Sequence, residues 1–442
     1  MRDLMILMMM MIIIPMCLRN AFAAYLLWGW SGLIAVHTFA YSYMMAFPFV
    51  VTFAVISLVL ILLRRDPDIR PNEFGVVNVT LIWFGLHAVL CASMAYSGLP
   101  RNWEITLDLL KTLLYALLMP MLVTSRLRIH AIVLMLALSA GYHGVLEGLK
   151  FIASGGGHIS QGNPKLGDRN HFAVLVTMCL PFMLYLLWYS RSRLLQLGAV
   201  AGLLVNVLAT IATHSRGGLL SLITVAAYFV LISKRKLLGL ATMVVVGAVG
   251  LVMAPESWTN RMESIQTANT DDSFMGRVIA WKRASAIALE HPIFGGGIRA
   301  VQSGQVMEKY RFEQGLLGWV ETPPATRALA AHSIYFEVMS DMGFLGLFIF
   351  LVLMASPFVI ARRVRKVCDR IGPSADWSKD LAYCICAGMV GFLSGGASIS
   401  AAYFEFTYIL IALAAVNLRV ISQAQATPQK PVAAVGPAAV PV

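Results

Sequence analysis

The chain is made of apolar runs, each close to the length that crosses a lipid bilayer, repeated along nearly its whole extent. They cover approximately residues 4–18, 21–41, 44–63, 74–96, 105–124, 129–152, 171–189, 194–213, 217–233, 236–254, 333–361, 381–399 and 402–419. About 20 apolar residues span a bilayer core as a helix. Only helices and closed barrels satisfy their own backbone hydrogen bonds in lipid. The runs are continuous and do not alternate at period two, so helices are expected. Composition agrees, with 59% of the 442 residues hydrophobic and 13% charged and a mean hydropathy of +0.75. The expected fold class is an all-α polytopic membrane protein of about 12–13 spans.

The first two runs meet through Pro15, Arg19 and Asn20 and read equally as one broken unit. The start, Met1-Arg2-Asp3 before an apolar run, imitates a signal peptide. It lacks a small-residue cleavage site, so a retained helix is expected. The six cysteines show neither a disulfide framework nor metal-ligand spacing, and they read as small buried hydrophobes.

Orientation follows from the loops. Basic clusters fall at Arg64, Arg65 and Arg70, then at Arg126 and Arg128, then at Arg191 and Arg193. They continue at Lys234, Arg235 and Lys236, and at Arg362, Arg363, Arg365, Lys366, Arg370 and Lys379. Each lies two spans from the one before, so all share a side, and that side should be cytoplasmic. The net charge of +12 therefore reports membrane topology, and no nucleic-acid partner is expected. The parity is ambiguous upstream of residue 44.

Four units follow: an N-terminal bundle over 1–253, a large outward-facing loop over 254–332, C-terminal spans over 333–420, and a disordered cytoplasmic tail over 421–442. The large loop holds eight Lys/Arg and eight Asp/Glu. It is too rich in large apolar residues for disorder, so short helices lying on the bundle are expected.

Four outward segments carry polar motifs. In the first, Lys165, Asp168, Arg169, Asn170 and His171 crowd the start of a span, where Asp168 suits a helix N-cap. The second, Thr213-His214-Ser215-Arg216-Gly217-Gly218, joins two spans with almost no loop. Arg216 then stands at a helix N-terminus, where free N–H groups and positive dipole already favour anions. The two glycines let another group approach the backbone. A snorkelling arginine is the structural alternative.

In the third, Val278, Trp281, Ser285 and Ala288 recur at helical spacing, and His291-Pro292 with Gly295, Gly296 and Gly297 should end that helix. Arg277 is placed in its first turn, a position that a dipole disfavours unless an anion lies nearby. Asp271-Asp272 alone is poor support for a metal site. The fourth, Ala331-His332-Ser333-Ile334-Tyr335, places a histidine at the head of a span. Histidine suits proton transfer near neutral pH, although a lone interfacial histidine is often structural. Two arginines and a histidine on one side suit a reaction with an anionic leaving group and a hydroxyl nucleophile.

On these motifs the sequence resembles the bacterial O-antigen ligase/polymerase superfamily. The likeness runs through Asp168 and Asn170, Ser215-Arg216-Gly217, Gly276-Arg277 with Trp281, His291-Pro292 with Gly295 and Gly297, and Ala331-His332-Ser333-Ile334-Tyr335 with Gly343 and Gly346. It is most similar to the exosortase A-associated O-glycosylation ligases, through Met1-Arg2-Asp3-Leu4, Leu27-Trp28-Gly29-Trp30, Pro255-Glu256-Ser257-Trp258 with Arg261-Met262, and Ala401-Ala402-Tyr403-Phe404. That subgroup commonly has two asparagines after the acidic residue, where this chain has Arg169-Asn170-His171.

The resemblance implies a GT-C-type, metal-independent glycosyltransferase with no cofactor, in a bacterial inner membrane with its active face periplasmic. The donor would be an undecaprenyl diphosphate-linked glycan. The acceptor would be a hydroxyl of a lipid-core sugar, an exopolysaccharide or a protein Ser/Thr. Arg216 and Arg277 would bind the diphosphate and His332 would activate the acceptor. Asp168, Arg169, Asn170, Lys165 and Tyr335 would contact substrate. A polysaccharide polymerase of the same superfamily is the first alternative. A membrane transporter or channel is the second, and it would need polar residues at mid-depth in several spans.

Overall fold

The computed structural model describes residues 2–64, 66–71, 75–162, 168–232, 272–324 and 326–426. The expected run over 236–254, the site candidate Lys165 and the tail beyond residue 426 lie outside the described residues. Among these residues the secondary structure is helical, with no strand.

The membrane part comprises α1 (Arg2–Cys17), α2 (Ala21–Ile34), α3 (Phe49–Leu62), α4 (Val76–Ser93), α5 (Arg101–Leu122), α6 (Arg126–Ala153), α7 (Arg169–Tyr189), α8 (Arg193–Ala212) and α9 (Arg216–Ile232). After the loop segment α10 (Asp272–Glu290) and α11 (Gly304–Lys309) come α12 (Ile334–Ile371), α13 (Asp376–Gly396) and α14 (Glu405–Ala426). Among the described residues seven of these are long and apolar enough to cross a membrane, with α2, α3 and α9 as shorter apolar helices. The chain is a multi-pass α-helical membrane protein. Its six cysteines are free and buried.

The first two runs are separate helices. Asn20 caps α2, its side chain accepting from Ala23 N at 3.0 Å. At the far end, Asp3 accepts from Tyr41 N and Ser42 N, both at 2.9 Å. The start of α1 therefore lies beside residues 41–44, at the end of the bundle opposite Arg64.

The two ends of the bundle are chemically distinct. At one end the basic loops meet. Arg128, on α6, pairs with Asp66 at 3.3 Å and Asp68 at 2.8 Å. Arg126 lies over the Trp377 ring, and Arg419 donates to Val123 O at 2.9 Å. At the other end the polar motifs gather around the start of α12.

Helix α12 is interrupted. Gly343 has φ 68 and ψ −171, which breaks the helix there. The segment after α10 fills the break. Phe344 N donates to Pro292 O at 2.7 Å, and Gly296 N donates to Ser340 O at 2.8 Å. Gly297 N adds a bond to Asp341 O at 3.2 Å. The His291-Pro292 and glycine motif is therefore a backbone clasp that fixes the outer segment on a broken span. A second small core, including Ala280, Ala284, Ile287, Val301 and Val306, holds that segment together.

Candidate functional site

The site is built around Ser400, in the turn between α13 and α14. Asp168 caps α7, its Oδ1 accepting from Asn170 N at 2.8 Å and His171 N at 3.0 Å. One residue pair later the same helix turns His171 back across the cap. His171 Nδ1 lies 2.9 Å from Asp168 Oδ1, and its Nε2 lies 2.8 Å from Ser400 O. A carboxylate and a carbonyl only accept, so this geometry calls for a hydrogen on each ring nitrogen. His171 is then a cation. Burial alone would raise the Asp168 carboxyl, but bonding to His171 and Asn170 and the His171 charge hold it well below the usual carboxylate range.

Ser400 also reaches the fourth motif. His332 N donates to Ser400 Oγ at 2.9 Å, and His332 holds a left-handed φ of 44 just before α12. A single turn thus ties Asp168 and His171 to His332, across 229 residues on one side and 68 on the other. The His332 Nδ1 is buried and has no hydrogen-bond partner among the described residues. Burial lowers the His332 imidazole below its ordinary value, and the Arg277 charge adds to the effect while Asp168 opposes it. The ring is therefore neutral at neutral pH.

Arg277 is carried there by α10. Trp281 Nε1 donates to Ala331 O at 2.7 Å. Its ring stacks on Phe336 with centroids 5.1 Å apart. Arg277 is one turn upstream on the same face, within electrostatic reach of His332. The helix begins at Asp272, so Arg277 stands in the second turn and not the first. The helix extends upstream of Gly276, and the dipole argument for an anion weakens there, since that field falls off within one turn.

Arg216 opens α9, as the sequence predicts. Gly217 and Gly218 are backed by protein. A Cβ at 217 would overlap Ser398 Oγ, and one at 218 would overlap Ala173 Cβ. The two glycines let the head of α9 lie against the 395–400 turn and α7, which brings Arg216 to the turn that carries Ser400.

The remaining candidates divide. Asn170 Nδ2 donates to Asp168 Oδ2 at 3.3 Å, and Arg169 is half-buried beside it. Tyr335 donates its hydroxyl to Leu393 O at 2.9 Å, which anchors α12 to α13. Among the described residues no three His, Cys, Asp or Glu side chains are grouped to hold a metal ion.

Two carboxylates were not anticipated. Glu337 Oε2 accepts from Ala402 N at 2.9 Å. Asp341 accepts from the Tyr403 hydroxyl at 2.8 Å, from Ser340 Oγ at 3.1 Å and from Ala300 N at 3.2 Å. Both are buried. They join α12 to the head of α14 and to the outer segment, directly beneath the Ser400 turn. Their sequence signal was present, because acidic residues four apart in an apolar span share one helix face and are rarely idle.

The motifs that the sequence scatters over residues 168–332 thus gather at one end of a helical membrane bundle. The family model for O-antigen ligase matches residues 201–351, a stretch that includes Arg216, Arg277, Trp281 and His332. The model of a family of unknown function, DUF5935, matches residues 1–191. A search of curated proteins finds no match. The match over residues 201–351 makes this part of the chain similar to the O-antigen ligases and supports a ligase-type membrane glycosyltransferase. Ser400 lies outside both matched stretches, so the site draws on a turn that neither model covers.

Proposed function

We propose that this chain moves a glycan from undecaprenyl diphosphate to an acceptor hydroxyl at the periplasmic face of a bacterial inner membrane. The observation that carries this reading is His332: half-buried, neutral, held by Ser400, with a buried Nδ1 unbonded among the described residues. Such a nitrogen can take a proton. The acceptor oxygen forms its bond to the anomeric carbon as the bond from that carbon to the diphosphate breaks. The electron pair leaves with the diphosphate, and the acceptor proton passes to Nδ1. Arg216 and Arg277 bind the diphosphate and neutralise the charge that grows on it. Their charge serves where other enzymes use a metal ion, so this reading gives a metal no role. His171 adds a third cation, and Asp168 holds it in place. The basic end of the bundle is cytoplasmic in this reading, which turns the site outward.

The His332 environment has a pH consequence. Its folded pKa is lowered from about 6.5, so the folded state binds fewer protons than the unfolded one below that pH. The resulting cost to stability is absent above about 6.5 and grows as pH falls. The transfer rate should fall only on the acid side, with a midpoint below that of free histidine. Arg277→Met should move this midpoint upward, because it removes a charge that disfavours the imidazolium. A pH–rate profile of both proteins measures this. An unmoved midpoint would remove His332 as the titrating base.

A ligase and a polymerase of this superfamily would share donor and chemistry, so their products separate them, and a ligase is the reading taken here. Cells lacking the chain should then accumulate long glycans on the carrier lipid. Accumulation of single repeat units would assign polymerisation instead.

A further inference from the structure

On the face of α10 turned away from Arg277 and Trp281 lies a second cationic feature. Two residues on from Trp281 rotate the helix by about 200°, so Arg283 faces the opposite side. There a cavity of about 60 Å³ is lined by Lys282, Arg283, Tyr310, Arg311, Glu313 and Thr322, among others. Arg283 is 1% exposed and Lys282 3%. Lys282 Nζ is fully engaged, donating to Gln314 Oε1, Val320 O and Thr322 Oγ1. Arg283 is not. Its Nε, Nη1 and Nη2 are all buried without a hydrogen-bond partner among the described residues.

An arginine stays charged in proteins and offers five N–H donors. Burying one unpaired is among the most costly arrangements in a folded chain. The lining brings three cations against the single carboxylate of Glu313, and Arg311 also meets Glu308 at 3.9 Å. The cavity is polar and reaches the surface beside the exposed Arg311, Phe312 and Gln314. Since about 10–15 Å³ accommodates one water-sized group, the space fits about four oxygens, the size of a tetrahedral oxyanion or of a carboxylate with water.

We propose that this cavity is an oxyanion-binding site, in which Arg283 is the principal donor and a phosphate, sulfate or carboxylate group is the ligand. The ligand is either a free inorganic ion or an acidic group carried on a sugar. The second source rests on the glycan-transfer reading, whereas the anion site itself does not. A sugar carboxylate held here would keep an acidic glycan on the outer segment, on the side of α10 opposite the reacting groups.

The test uses the full chain purified in detergent micelles, with thermal unfolding followed against millimolar phosphate, glucuronate, neutral glucose and chloride at matched ionic strength. Low concentrations avoid the general stabilisation that phosphate and sulfate give at high concentration. Oxyanions should raise the midpoint in the unchanged chain and still raise it in the R216A/R277A double variant, while glucose and chloride do not. In R283M the apparent affinity should fall by about tenfold to a hundredfold. R283K, which keeps the charge, and R311A, on the exposed rim, should each bind more weakly than the unchanged chain and more tightly than R283M. If R283M does not fold, these two carry the comparison. A response to glucuronate without phosphate supports the site with a sugar acid as its ligand, and the reverse supports it with a free ion. The proposal is overturned if oxyanions give no shift in the unchanged chain. It is equally overturned if R283M, or R283K and R311A together, leave the affinity unchanged, or if only R216A/R277A abolishes it.

Discussion

Arg277→Met should cut glycan transfer by about a hundredfold to a thousandfold, the range seen when one preorganised electrostatic donor is removed from a reaction centre. Two consequences of the same loss combine. The diphosphate loses a fixed positive charge at the moment its own charge grows. His332 loses a charge that adds to burial in favouring its neutral form, so somewhat less of it is competent to accept a proton. The supporting contacts stay in place, because Trp281 still donates to Ala331 O and stacks on Phe336. Membrane insertion and the unfolding midpoint should therefore be close to those of the unchanged chain. Arg277→Lys should recover the charge but only part of the rate, since a lysine lacks the bidentate fork that suits phosphate. Arg216→Met should show a loss of the same order, although there the N-terminus of α9 retains its dipole. Initial rates with a lipid-linked donor measure both. A normal rate in purified Arg277→Met would show that Arg277 does not act on the donor.

Gly343→Ala should damage the fold more than any other change to these motifs that leaves charge untouched. Its φ of 68 and ψ of −171 belong to a region almost closed to other residues. A Cβ there would lie 2.5 Å from Pro292 O and 2.7 Å from Pro292 C. Both are backbone atoms, so neither can rotate away. The clasp that holds the outer segment on α12 would have to open, and Asp341 and Glu337 lie on the turns just above the break. Strain and overpacking together should cost about 2–6 kcal/mol. Gly198→Ala is the matching control, because a Cβ there meets nothing within 4 Å. In the helical interior of α8 it should be neutral or stabilising by up to about 1 kcal/mol. Unfolding midpoints of the two variants in the same detergent make the comparison. Equal midpoints would mean that the break at Gly343 is not required.

What could be read in the sequence was local or statistical. The spans follow from length and hydropathy, and the shared side of the basic loops follows from their alternation. Asp168 as a cap and His291 at the end of α10 involve partners within a few residues, so the motif contains the contact. The start of α10 was harder to place, because Asp272 to Met275 carry no strong capping signal and the helix begins before Gly276. The Ser400 turn was invisible, since its partners are His171 and His332, far away in the chain. Gly217 and Gly218 were correctly read as allowing close approach, but the neighbour proved to be Ser398 and Ala173, groups of the protein itself. Glu337 and Asp341 were legible in principle. Their partners, Ala402, Tyr403 and Ala300, lie far away in the chain, so the sequence does not show what they hold. Arg283 had no sequence signal at all, as one basic residue among several on a loop helix.

The most direct measurement of the central claim is a reconstitution with the purified chain, an undecaprenyl diphosphate-linked glycan and a hydroxyl acceptor, free of other proteins. Glycosylated acceptor and free undecaprenyl diphosphate should appear in equal amounts, with both lost in the Arg216→Met, Arg277→Met and His332→Ala variants. Transfer that survives in all three variants, or no transfer by the unchanged chain with any lipid diphosphate donor, would contradict it.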